Sequence, residues 1–169
     1  MKRIALIATL VILSASPAFA HAGHGIQSGF MHPFLGWDHL LAMLAVGAWG
    51  ATLGGRSIWA VPASFVGMMI VGGALGMSGV NVPFVETVIL ASGFVIAGFV
   101  VARVKMPVWS GMAIVGLFAL AHGVAHGAEM PELANPWVYG AGFVAATSLI
   151  HALGAIAALG VMKLRTVKA

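Results

Sequence analysis

The chain contains no cysteine, and only 7% of its 169 residues carry a charge. Without cysteine there is no disulfide framework, no thiolate metal site and no thiol nucleophile. The scarcity of charge excludes more. A soluble domain carries about 25% charged residues, and twelve such side chains, eight basic and four acidic, cannot clothe a soluble surface. A soluble enzyme and a disordered chain are thereby excluded. Nucleic-acid binding goes too, because the basic residues are scattered singly and in pairs rather than gathered in a patch. No G-x4-G-K-[ST] loop occurs, so the chain does not hydrolyse ATP by that route.

What is abundant is apolar. Hydrophobic residues make up 61% of the chain and the mean hydropathy is +1.06. Met1-Lys2-Arg3 opens the sequence, an apolar run follows from Ile4 to Leu13, and Ala18-Phe19-Ala20 supplies small residues before His21. This is the pattern of a cleaved secretory signal, so residues 1–20 are read as a signal peptide and 21–169 as one membrane domain. Apolar stretches at about 33–53, 58–77, 83–102, 108–127 and 136–162 are each long enough to cross ~30 Å of hydrocarbon as helix. The expected fold is an all-α, polytopic membrane helix bundle of five transmembrane helices behind that signal peptide.

Charge orients this bundle. Placing the mature N-terminus outside puts Arg56, Arg103, Lys105, Lys163, Arg165 and Lys168 on the cytoplasmic side, in agreement with the positive-inside rule. The expected location is the bacterial inner membrane, with the C-terminus cytoplasmic. Trp37, Trp59, Trp109 and Trp137 stand near span starts, where interfacial aromatics collect. All four carboxylates fall on the outer side. Glu86 reads as a helix N-terminal acid favoured by the macrodipole.

Seven histidines in so apolar a chain demand a use, because polar side chains are costly in lipid. His32-x5-Asp38-His39 forms one cluster. On a regular helix His32 and His39 would stand ~10 Å apart, but Pro33 and Gly36 between them predict an irregular entry that folds His32 back. Asp38 is placed either to bind an ion or to hold a His ring through its second nitrogen. His122-Gly123-x2-His126-Gly127-x-Glu129 forms the other. Its histidines are i,i+4 on one face, spaced to chelate one ion, and Gly123 and Gly127 allow a neighbouring helix to approach closely. His39 and His122 both lie ~8–9 Å below the outer surface, so the clusters are expected to build one outward-facing metal site from His32, Asp38, His39, His122, His126 and Glu129. His21 and His24 are weaker candidates. His151, ~22 Å deep in the last span, is either a deeper station or a core histidine bonded to a backbone carbonyl. Imidazole and carboxylate without thiolate suit Ni, Co, Zn or Cu(II). Two other classes stay open on these residues: a b-type haem electron carrier using paired histidines, and a metal-dependent intramembrane hydrolase.

Both motifs, the apolar spans and the His-rich start resemble the HupE/UreJ family over the full length of the chain. The family's second motif usually has an aromatic where this chain has Ala121. The resemblance implies a permease and not an enzyme: Ni²⁺, with Co²⁺ as an alternative cargo, would pass through for hydrogenase or urease maturation, with no permanently bound cofactor. The partners it implies are the lipid bilayer and the divalent ion; self-association into a homo-oligomer is left open.

Overall fold

Glycine, proline and asparagine set the points at which the chain turns. The computed structural model describes residues 25–167. The signal peptide at 1–20, His21, His24 and Lys168 lie outside the described residues. Helix α1 spans Ile26–Met31 and runs into a 3₁₀ turn at His32–Phe34; α2 spans Trp37–Leu53, α3 Ser57–Met77, α4 Val85–Val101, α5 Val108–Ala128 and α6 Pro136–Val167. No strand occurs among the described residues. Gly54 and Gly55 at φ +81° and +54° reverse the chain between α2 and α3. Gly79 (φ +90°) ends α3, with Val80 N–H donating to the Leu75 carbonyl at 3.1 Å, the closure typical of a left-handed helix stop. At α6 the Asn135 side chain accepts from Trp137 N–H and Val138 N–H at 3.0 and 3.2 Å, satisfying amides that open a helix, and Pro136 begins the helix where its missing N–H costs nothing.

The expected first span, 33–53, is not one helix. The segment Ile26–Phe34 meets Trp37–Leu53 at 85°. Pro33 sits in the first turn of the 3₁₀ segment, and Gly36 is extended at φ −106°, ψ 118°. A Cβ on Gly36 would stand 2.9 Å from both Asp38 Oδ1 and His39 Nδ1, so a larger residue there would displace that pair from its place over the bend. Helices α3, α5 and α6 are long and apolar enough to cross a membrane, the bent pair adds a fourth candidate, and α4 is a shorter apolar helix of 17 residues. Side chains such as Phe94, Trp109, Leu117 and Ile156 face outward, which suits a lipid environment.

Contacts along the helices fix their directions. Gly93 packs on Leu41 and Ala42, the Trp49 ring lies 5.0 Å from Phe99, and Lys105 Nζ donates to the Thr52 carbonyl, so α2 and α4 run parallel. Ser64 Oγ donates to Met112 O, and Gly72 and Gly76 meet the Leu120 and Val124 carbonyls, so α3 and α5 run parallel to each other. Thr147 lies against Met69 and His151 against Phe65, which sets α6 antiparallel to α3. Helices α2, α4 and α6 therefore point one way and α3 and α5 the other. One end of the bundle holds Asp38, Glu86, Glu129 and Glu132; the opposite end holds Arg56, Arg103, Lys105, Lys163 and Arg165.

Close approach of α3 and α5 depends on glycine. A Cβ on Gly123 would collide with the Met69 carbonyl, and one on Gly127 with the Gly73 carbonyl. The partner glycines on α3, Gly72 and Gly76, complete the seam, so backbones meet directly, as small residues allow in membrane bundles. Below the seam Trp49, Val61, Phe65, Ile96, Val115 and Ile150 fill the core.

Candidate metal centre

The bend at Gly36 and the glycine seam bring distant imidazoles together. His32 comes from the 3₁₀ turn, His126 from the last turn of α5, and Glu129 from the residue that follows α5. His32 Nε2 and His126 Nδ1 are 3.2 Å apart. Glu129 Oε2 is 3.5 Å from the first and 3.6 Å from the second. A point equidistant from three atoms at these separations lies about 2.0 Å from each, the bond length of a first-row divalent ion to imidazole nitrogen or carboxylate oxygen, ~2.0–2.2 Å. These three residues are the one described group whose ligand atoms all lie within 4.8 Å of one another. Glu129 is half exposed and His126 is buried, so the triad sits at an opening with its carboxylate outermost. The neighbouring His126 ring holds the Glu129 carboxyl below its ordinary pKa, against the opposing effect of partial burial.

Behind the triad stands His39. Its Nδ1–H donates to Asp38 Oδ1 at 2.8 Å, and its backbone N–H donates to the same oxygen at 2.9 Å. Asp38 thus holds the His39 ring through Nδ1. It fixes the ring so that Nε2 presents a lone pair, the carboxylate–histidine arrangement that supports metal ligands. The His39 ring centre is 4.5 Å from that of His126 and 5.6 Å from that of His122.

His122 stands apart from the triad. Its ring centre is 6.5 Å from that of His126, and its Nδ1–H donates to the Phe118 carbonyl at 2.9 Å. The i−4 carbonyl pulls the imidazole along its own helix and away from the triad. That bond leaves Nε2 as the acceptor nitrogen, and it is buried without a partner; His126 Nε2 is likewise unpartnered. His126 therefore offers one nitrogen to the opening and the other to the interior.

His151 lies deeper, and its environment corrects the reading of a core histidine tied to a carbonyl. Neither ring nitrogen has a hydrogen-bond partner in the described structure. The Phe65 ring separates it from His122, with centres 5.1 Å from His151 and 5.3 Å from His122. Phe143 stacks obliquely on His126 at 4.6 Å and on His32 at 5.7 Å, while Tyr139 meets His32 at 6.0 Å. None of these aromatics stands out in sequence, because an aromatic in an apolar span offers no contrast with its neighbours. The His39 ring stands between those of His122 and His126, closer to the latter.

Comparison with known proteins matches this sequence to one family. A family model described as HupE / UreJ protein covers residues 9–168. The chain is 43% identical over 174 aligned residues to "Protein HupE" of Rhizobium leguminosarum bv. viciae, across 100% of this chain and 88% of that protein. No solved structure matches.

Proposed function

Because the chain belongs to the HupE/UreJ family of membrane accessory proteins, we propose that it is a permease for a divalent transition metal, Ni²⁺ before Co²⁺, supplying hydrogenase or urease maturation. The observation that carries this reading is the triangle of His32 Nε2, His126 Nδ1 and Glu129 Oε2, with sides of 3.2–3.6 Å. Nitrogen and oxygen donors without sulfur suit Ni²⁺ and Co²⁺. Asp38 orients His39 as the next donor inward, His122 Nε2 follows, and His151 beyond Phe65 is the innermost station. The carboxylates gathered at the triad's end of the bundle raise the local cation concentration there. A permease must also release its ion, so three protein ligands with water in the remaining positions serve better than a closed cage.

In this reading five spans cross the inner membrane, with the acidic end outside and the basic end and C-terminus in the cytoplasm. The alternating helix directions and the segregation of charge support it. Reporter fusions after Lys168 and within 128–135 test it, and an extracytoplasmic signal from the C-terminal fusion refutes it. The transport reading is tested by ⁶³Ni uptake into cells expressing the protein, with Co²⁺ and Zn²⁺ as competitors. His126→Ala is expected to abolish uptake while the protein still reaches the membrane. Normal uptake by a well-inserted His126→Ala protein overturns the proposed site.

A further inference from the structure

At the end opposite the metal centre, three basic side chains converge on an apolar groove. Helices α4 and α6 both pack on α2 but not on each other, and the gap between them is a groove of about 810 Å³. Small residues keep it open: Ala45 and Ala48 lie on its floor and Ala97 and Ala157 on its walls. From Leu41 to Thr52 the floor extends ~17 Å along α2 at 1.5 Å per residue. Arg103, Lys105 and Arg165 line the groove where α4 and α6 end. None of the three forms an ion pair with a described carboxylate, since every acid stands at the other end.

Their placement is built rather than incidental. The loop carrying Arg103 and Lys105 is fastened from below by the buried Trp49, whose Nε1–H donates to the Val104 carbonyl at 3.3 Å. Lys105 Nζ reaches the Thr52 carbonyl and keeps further N–H donors free. Arg103 closes α4 with φ +53°. Val104 N–H donates to the Phe99 carbonyl at 2.9 Å and Arg103 N–H to the Val100 carbonyl at 3.2 Å, a helix stop whose left-handed position normally belongs to glycine. An arginine there costs about 1–2 kcal/mol of backbone strain. Glycine closes α3 in the same geometry at Gly79, so the arginine at the equivalent position of α4 needs a reason beyond the turn. Keeping a basic residue on this side of the membrane does not require the groove: Arg56 and Lys163 lie at the same end outside it.

We propose that this groove is a binding site for one anionic glycerophospholipid, one of its two acyl chains along α2 and its phosphate headgroup held by Arg103, Lys105 and Arg165. Charge complementarity selects this occupant. A parallel second copy docked symmetrically here would set three cations against three cations with no carboxylate between them. A zwitterionic lipid would bring its own cation to a site that already holds three. The inference rests on the bilayer environment alone and does not depend on which ion the protein carries.

The test uses the full-length protein purified in detergent, supplied with phosphatidylglycerol and phosphatidylcholine at equal mole fraction, and read by native mass spectrometry. The expected result is one phosphatidylglycerol retained per chain, in preference to phosphatidylcholine. Each basic residue near an anionic headgroup contributes about a fivefold gain in affinity, so Arg103→Gly and Arg165→Gln are each expected to lower retention about fivefold. Arg103→Gly relieves the backbone at the same time. A higher melting temperature with weaker lipid retention separates loss of a headgroup contact from general damage. Ala157→Trp fills the groove without touching the cations and is expected to abolish retention. Equal retention of both lipids, phosphatidylglycerol retention that survives Ala157→Trp, displacement of the lipid by inorganic phosphate alone, or a dimer that occludes the groove would each overturn the proposal.

Discussion

Replacing Gly127 with alanine adds one methyl group in the seam beside His126, and it should disable the proposed metal centre. The new Cβ would point into the carbonyl of Gly73, with that residue's carbonyl carbon and Cα at 2.9 and 3.0 Å. All three atoms are backbone, so no side chain can rotate away. Ordinary separation for such atoms is ~3.5 Å or more, and α3 and α5 must part by roughly 1 Å to restore it. His126 and Glu129 flank Gly127 on the moving helix, while His32 stays on the 3₁₀ turn. The His32–His126 and His32–Glu129 distances of 3.2 and 3.5 Å would change by that amount, when metal sites tolerate about ±0.2 Å in bond length. Overpacking of this kind costs typically 1–3 kcal/mol, offset in part by about 1 kcal/mol because alanine favours helix over glycine. The protein should therefore fold and insert while Ni²⁺ uptake drops at least tenfold. Gly140→Ala, on α6 with nothing within 4 Å of the added Cβ, serves as control and should leave uptake unchanged. Normal uptake by the Gly127→Ala protein would show that the seam does not position the ligands.

Asp38→Asn removes the charge that orients His39; loss of such an outer partner typically costs 10–100-fold in metal affinity, measurable by calorimetric titration with Ni²⁺, and unchanged affinity would mean that His39 is not a donor. His151→Leu relieves two buried, unpartnered nitrogens, so the melting temperature should hold or rise; uptake should slow without a change in metal affinity at the opening, and unaltered uptake would reduce His151 to packing. Imidazoles must be unprotonated to bind an ion, so uptake should fall as the external pH is lowered into the acid range. Glu129 is held below its ordinary pKa, so its carboxylate stays ionised at neutral pH; uptake that holds or rises on acidification would contradict histidine ligation.

Local chemistry and composition determined much of this protein on their own. The all-helical, membrane-suited class follows from 7% charge and 61% hydrophobic residues gathered in continuous runs, since only helices and closed barrels satisfy their backbone in lipid and unbroken apolar runs of about 20 residues suit the helix. The end-to-end division of acids from bases follows from where charges fall relative to the apolar runs. The break before α2 was legible in Pro33 and Gly36, and the close seam in the i,i+4 pair Gly123 and Gly127, because each depends on backbone sterics within a few residues. Tertiary structure decided the rest. His32 and His126 are 94 positions apart, and which of their nitrogens meet depends on the 85° bend and on ring rotamers. The spacing of His122 and His126 put both on one face, but the bond from His122 to the Phe118 carbonyl and the 6.5 Å between the ring centres belong to the fold, because no spacing rule reports a ring's direction. Phe65 and Phe143 were invisible because an aromatic among aliphatics carries no pattern until its neighbours are known. The groove above Arg103 and Lys105 exists only because α4 and α6 lean on α2 without touching, an outcome of packing among helices whose sequences are apolar on every face.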